Sequence, residues 1–264
     1  MVGCNARHGT IAAAILAAAA MIPKTTLAQT AGSSPSHPRA SGELQPRLAP
    51  GMAEYTDDVL FGDVWLRKEL SPRDRSLITI TTLIGSGRSA QLPNHLNRAL
   101  DNGLQPVEAS GVLTHMAVYA GWPLAVASLE VYDRVYAARG IGPISPTPAR
   151  DSARVPSAPS IRPPVTSGIA AIAPKFAEVT DAVVRQNLWQ RTDLAPRDRS
   201  LVSISALVAM GEMDDLSGEI ERGRANGLTS AEISETLTHL AFYVGWPRAE
   251  RAVAIVAAMP VAKR

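Results

Sequence analysis

The chain holds a single cysteine, Cys4, near its N-terminus. Removal of the segment before Gln29 would leave no thiol, which excludes disulfides and thiol redox chemistry from the remaining chain. Aromatic residues are scarce, 5% against 46% hydrophobic residues overall, and alanine and leucine are plentiful. That mixture suits closely packed helices better than a β-sandwich, which draws on Val, Ile, Tyr and Phe. No Lys/Arg block occurs and the net charge is only +2, so there is no electrostatic footprint for a nucleic-acid partner. The apolar run Ile11 to Ile22 is about 12 residues, short of the roughly 20 that span a bilayer. Gly-x-Ser-x-Gly, phosphate-loop and dinucleotide fingerprints are all missing. No Cys/His/Asp cluster has metal-ligand spacing either, so the sequence offers neither a metal nor a cofactor site.

Arg7, the apolar run and Thr26-Leu27-Ala28 before Gln29 together read as a secretory signal over residues 1–28. The remaining chain would be exported, periplasmic or secreted, and free of the membrane after cleavage. Residues 29–48, rich in Ser, Pro, Gly and Ala, are expected to be a disordered spacer.

What the chain has in abundance is repetition. Pro72-Arg73-Asp74-Arg75-Ser76-Leu77 returns as Pro196-Arg197-Asp198-Arg199-Ser200-Leu201. The same offset carries Asn102-Gly103-Leu104 onto Asn226-Gly227-Leu228, and His115, Tyr119 and Gly121-Trp122-Pro123 onto His239, Tyr243 and Gly245-Trp246-Pro247. Roughly 35 identities fall over about 82 ungapped positions, far above chance. The expected layout is a first repeat over 49–139, a linker over 140–168 holding seven prolines, and a second repeat over 169–264. Such a linker is semi-rigid and extended.

Each repeat reads as all-α. A first helix is expected over roughly Met52 to Arg67. Ser71-Pro72 opens a second, with a Ser N-cap, Pro at the first helical position and Asp74 facing the positive helix end. The β-branched run Leu77 to Ile84 resembles a strand, but the caps before it and Gly85-Ser86-Gly87 after it argue for a buried helix. A third helix runs from about Ala90 to Asp101 and stops at Asn102-Gly103. A fourth starts near Pro106, and Gly121-Trp122-Pro123 begins a fifth that runs to about Ala138. In the second copy Thr229 to Glu232 forms a capping box.

Leu70-Ser71-Pro72-Arg73-Asp74-Arg75, a Gly-x-x-x-x-Leu-x-x-His segment from Gly87 to His95, Asn102-Gly103-Leu104 and His115-x-x-x-Tyr119-x-Gly121-x-Pro123 resemble the carboxymuconolactone decarboxylase family. The resemblance covers both repeats. It implies the all-helical fold shared with the alkylhydroperoxidase D proteins, no cofactor, and ring assembly with sites near subunit contacts. A trimer of two-repeat chains would then imitate a hexamer of single repeats. The hydroperoxidase branch carries two cysteines ahead of the histidine; here Arg88 and Gln91 hold those positions, and Glu212 and Asp215 hold them in the second copy. The family's proton-relay glutamate falls on Ser76 and Ser200.

Candidate site residues follow from residue type and from that resemblance. His95, replaced by Glu219 in the second copy, can titrate near neutral pH and serve as general acid or base. Arg98 lies one turn on and can reach the same cleft, with Gln91 as a hydrogen-bond donor. Arg73 and Arg88 are candidate carboxylate anchors; for Arg73, ion pairing between helices or subunits is the favoured role. His115 and His239 sit on otherwise apolar helices, as satisfied core residues or as site residues. Tyr119 and Trp122 pack, or line the pocket. Glu219, Asp215 and His239 are the second-repeat counterparts. Two functions compete: a cofactor-independent decarboxylase acting on a small carboxylated lactone or related acid, and a non-catalytic helical scaffold or ligand-binding protein that kept the fold.

Overall fold

The computed structural model describes residues 40–145 and 167–260. The segment expected to be a signal, 1–28, most of the expected 29–48 spacer and the 146–166 part of the expected linker lie outside them. Among the described residues the fold is all-α, without strands. The first repeat holds α1 (Leu44–Leu48), α2 (Pro50–Glu54), α3 (Pro72–Gly85), α4 (Leu92–Asp101), α5 (Pro106–Tyr119) and α6 (Trp122–Ala138). The second holds α7 (Ser167–Ile172), α8 (Pro174–Val179), α9 (Pro196–Met210), α10 (Leu216–Ala225), α11 (Ser230–Val244) and α12 (Trp246–Ala258). No helix among them is long and apolar enough to cross a membrane.

Every residue of α3 from Asp74 to Gly85 is buried, although the helix carries four hydroxyl side chains. Each hydroxyl returns to the carbonyl one turn back: Ser76 to Pro72 at 2.9 Å, Thr79 to Arg75 at 2.8 Å, Thr81 to Leu77 and Thr82 to Ile78 at 2.7 Å. This internal satisfaction removes the desolvation cost and lets a β-branched run stay helical at the centre of the molecule. Ser71 caps the helix, its Oγ accepting from the Asp74 amide at 3.0 Å.

The two repeats do not stand side by side as separate lobes. Helices α3 and α9 pack on each other, α11 lies on α3, and α5 lies on α9. Each repeat thus lays α5 or its counterpart α11 over the other's α9 or α3. One apolar core runs through both, from Leu77, Ile80 and Met116 to Leu201, Ile204 and Leu240. Gly121 and Gly245, at φ +93° and +87°, make the sharp turns out of α5 and α11, a conformation that side chains with a Cβ rarely adopt.

At the helix starts, Arg73 binds Asp198 at 2.8 Å and Glu108 at 2.6 Å, while Arg197 binds Asp74 at 2.8 Å and also pairs with Glu232. Burial works against the charge on both arginines, but these carboxylates outweigh it and hold their pKa values above the ordinary arginine range. Arg73 is thereby corrected as a substrate anchor: its guanidinium is already committed to carboxylates of both repeats.

Two further expectations change. The helix anticipated over Met52 to Arg67 is broken: α2 runs into a π turn over Tyr55–Leu60, and Val64–Leu66 form a 3-10 turn. The Phe61 amide reaches back five residues to the Thr56 carbonyl, and this wider turn leaves Phe61 stacked on Trp65 with ring centroids 5.6 Å apart. The end of the presumed disordered spacer is also ordered. The Ser41 amide and hydroxyl both donate to the Asp57 carboxylate, at 2.9 and 2.8 Å, and α1 follows. Likewise Ile141 and Ile144, assigned to the linker, pack on the core.

Candidate active site

The helix exchange creates two related side-chain clusters where the repeats meet. In the first, α4 supplies His95 and Arg98, the preceding turns supply Phe61 and Trp65, and α11 of the other repeat supplies His239 and Tyr243. The Arg98 guanidinium lies over Phe61 at 4.5 Å and over Trp65 at 5.2 Å. The His95 ring meets Tyr243 edge-on at 5.7 Å, and the Trp65 indole N–H donates to the Tyr243 hydroxyl at 3.2 Å. His239 packs against both Trp65 and Tyr243.

In the second cluster α10 supplies Glu219 and Arg222, the turn before α9 supplies Trp189, and α5 supplies His115 and Tyr119. Arg222 lies over Trp189 at 4.3 Å. His115 stacks on Tyr119 at 4.3 Å and meets Trp189 edge-on at 5.7 Å. The Tyr119 hydroxyl donates to Glu219 Oε1 at 3.4 Å, and Arg222 pairs with the same oxygen at 3.3 Å.

This geometry redistributes the candidates. His95 and Arg98 are brought together. His115 and Tyr119, candidates of the first repeat, lie beside Glu219 of the second, because α5 packs on α9 as well as on α3. The residue next to His95 is the second-repeat Tyr243, and His239 accompanies it. Arg88 and Gln91 are exposed on the turn before α4; among the described residues no side-chain hydrogen bond or ring contact joins them to either cluster. Asp215 is exposed as well, and Trp122 is 63% exposed at the start of α6. Trp65, Trp189, Phe61, Thr79 and Ser203 were missed. Identity of the two tryptophans at the repeat offset was the available signal.

The histidines divide by environment. His239 and His115 are fully buried, and their Nε2 atoms sit 2.9 Å from Thr79 Oγ1 and 2.8 Å from Ser203 Oγ, hydroxyls of the opposite repeat. They act as inter-repeat pins. His95 is only partly buried and makes no side-chain hydrogen bond among the described residues; its Nδ1 is buried without a partner. Burial, with the Arg98 charge beside it, pulls the His95 pKa down to about 4. Burial and Arg75 pull His239 down to about 3, and His115 lies well below its ordinary value for the same kind of reason. Burial, with the Glu219 charge, raises Tyr119 to about 12, and burial raises Tyr243 as well. Both phenols therefore stay protonated as donors at neutral pH. Ser76 and Ser200, at the family's relay position, accept from Asn102 and Asn226 at 2.9 and 2.8 Å and lock α3 to α4 and α9 to α10. Among the described residues no group of three or more His, Cys, Asp or Glu side chains is placed to hold a metal ion.

The histidine shifts have a sign that can be measured. Each is lowered in the fold from about 6.5, so the neutral imidazoles contribute stability that is present above pH 6.5 and lost as pH falls toward 4 and below. Melting temperature is expected to be flat with respect to these groups above pH 7 and to drop between pH 6.5 and 4.5. His239→Gln should flatten that drop; an equally steep acid limb in the variant would remove His239 from the account.

Residues 50–134 and 174–258 each match the carboxymuconolactone decarboxylase family. Part of the chain is similar to a 4-carboxymuconolactone decarboxylase of Acinetobacter baylyi, 35% identical over 83 residues, which is 31% of this chain and 62% of that protein. It is also similar to a nitrosuccinic acid decarboxylase of Metarhizium robertsii, 33% identical over 86 residues, which is 33% of this chain and 59% of that protein. The chain thus spans less than two thirds of either relative's length. The family match falls in both halves of the chain, on the helices that build the two clusters, and with it the tandem all-α protein belongs to the carboxymuconolactone decarboxylase family.

Proposed function

We propose that the first cluster catalyses cofactor-independent decarboxylation of a small acid carrying a second oxygen function, such as a carboxylated lactone. The observation that carries this reading is Arg98: a partly buried cation stacked on two rings, with no carboxylate partner among the described residues, one helical turn from an unbonded His95. Two relatives named as decarboxylases support the reaction type.

The chemistry constrains how the groups are used. As the carboxylate leaves as CO2, the electrons of the broken C–C bond pass toward a conjugated oxygen, so negative charge moves from one end of the substrate to the other. A cation held on the leaving carboxylate would stabilise the ground state and slow the step; one on the oxygen that gains charge lowers the barrier. Arg98 is therefore assigned to the lactone oxygen or a second carboxylate, and the leaving group to the aromatic wall of Phe61, Trp65 and Tyr243. His95 returns the proton to carbon. In the free protein it is neutral at pH 7, and a bound anion next to the ring raises its pKa so that it enters the reaction protonated. The Tyr243 phenol is a second donor in reach of the same region.

CO2 release from a panel of carboxylated lactones and nitro- or oxo-substituted diacids tests the proposal. Arg98→Ala should lower kcat/KM by about 10²-fold or more, through kcat where the guanidinium holds the oxygen that gains charge and through KM where it holds a second carboxylate. If no acid in the panel releases CO2 above the buffer rate, the non-catalytic binding reading takes its place. The use of Ser76 as a structural acceptor for Asn102 is the observation in favour of that alternative.

A further inference from the structure

We infer that the chain binds one substrate anion, not two, because the second cluster carries its own carboxylate, Glu219, where the first leaves room for a ligand's. This deepens the proposed function and rests on its assignment of anion binding to the first cluster.

The two clusters are built from equivalent positions. Arg98 and Arg222 are equivalent, each lies over the equivalent tryptophan, Trp65 or Trp189, and each faces the end of the other repeat's α11 or α5 with its tyrosine, Tyr243 or Tyr119. Arginine over indole, beside a protonated phenol, makes a cradle for a small planar carboxylate. Beside the arginine, the tryptophan and the tyrosine, the substitution is His95 for Glu219; Phe61, the second ring under Arg98, is matched at the same offset by Arg185.

That substitution changes the charge of the site. Glu219 and Arg222 are only 7% and 6% exposed, and the Arg222–Glu219 pair at 3.3 Å is joined by the Tyr119 hydroxyl on the same carboxylate oxygen. The cation and the phenol that would greet a ligand carboxylate are both spent on an internal one. An incoming anion would have to displace Glu219 or lie against it, with little water to screen the repulsion. In the first cluster the equivalent of that carboxylate is a neutral imidazole, and Arg98 has no acidic partner among the described residues. The duplicated scaffold therefore yields one open anion site and one internally filled copy, and position 219 decides between the two states.

Titration calorimetry of the full chain with 2-furoate, a planar ring carboxylate, at pH 7 reads the site count directly. The expected counts per chain are one for the wild type, none for Arg98→Ala, one for Arg222→Ala, two for Glu219→Gln, and one for the double variant Glu219→Gln/Arg222→Ala. A wild-type count of two, or a Glu219→Gln count that stays at one, overturns the inference and leaves the proposed reaction standing. A wild-type count of none, or a single site that survives Arg98→Ala, overturns the reading of the first cluster and the inference with it. Should Glu219→Gln be too unstable to titrate, thermal shift replaces the count: 2-furoate should raise its melting temperature by more than it raises that of the wild type. Equal shifts overturn the inference.

Discussion

His95→Gln is expected to lower the rate of the proposed decarboxylation by about 10²–10⁴-fold, the range for loss of a positioned acid or base, while leaving the melting temperature at pH 7 close to wild type. The two readouts belong together. His95 makes no side-chain hydrogen bond among the described residues, so its removal orphans no partner, unlike removal of His239 or His115. Glutamine keeps the polarity and much of the volume but cannot transfer a proton. The pH profile carries the specific signature. In the complex the imidazole must be protonated to return a proton to carbon, so kcat should fall as pH rises through the bound-state pKa. That pKa lies above the free value of about 4 because a substrate anion favours the charged ring. The limb should vanish in His95→Gln. Retention of both the rate and the limb would take the proton away from His95 and hand it to Tyr243 or to water.

Much of this molecule was legible in its sequence because the signals were local. Ser71-Pro72, the Asn102-Gly103 stop and the Thr229–Glu232 box mark helix ends through bonds within four residues, and the structure places α3, α4 and α11 accordingly. The exact repeat of Pro-Arg-Asp-Arg-Ser-Leu gave the duplication without reference to packing. His95 and Arg98 were also legible, since one turn of helix puts them on one face. The partners of His95 were not. A helix's apolar pattern says which face is buried, never against which helix, and nothing in the sequence shows that α5 reaches α9 as well as its own α3. Because it does, His115 and Tyr119 belong to the Glu219 cluster, and because α11 reaches α3, Tyr243 belongs to the His95 cluster. Arg73 was ambiguous for the same reason: only the close approach of α3 and α9 brings Asp198 within 2.8 Å of it. The π turn before Phe61 had no sequence marker that distinguishes it from an ordinary helix.

The repeats are held together by charge as well as by apolar packing, and the asymmetry of one buried arginine pair makes that measurable. Arg75 is fully buried, and its guanidinium donates to Glu235 Oε1 and to the Arg67 carbonyl, both at 2.9 Å. Its Nε and Nη1 find no partner, so nothing in the site can take over if the carboxylate is lost. Its counterpart Arg199 is neutralised differently, by Asp193 at 2.9 Å from the loop just ahead of its own helix. Glycine, Gly111, stands where Glu235 would be; a Cβ there would come within 3.2 Å of the Asp193 side chain, which leaves no room for a second carboxylate. The first repeat therefore depends on its neighbour for a charge that the second supplies itself. Glu235→Ala should cost about 3–5 kcal/mol in urea unfolding, the penalty for stranding a buried charge, against a total stability of about 5–15 kcal/mol for a domain. Asp101→Ala, at the solvent-facing Arg139–Asp101 pair, should cost at most about 1 kcal/mol. Coupling Arg75→Met to Glu235→Ala should recover much of the loss, since the double variant removes both charges and leaves an apolar chain in an apolar place. A Glu235→Ala protein within about 1 kcal/mol of wild type, with the double variant no better, would mean that water reaches Arg75 and that the inter-repeat pair is not what keeps α11 on α3.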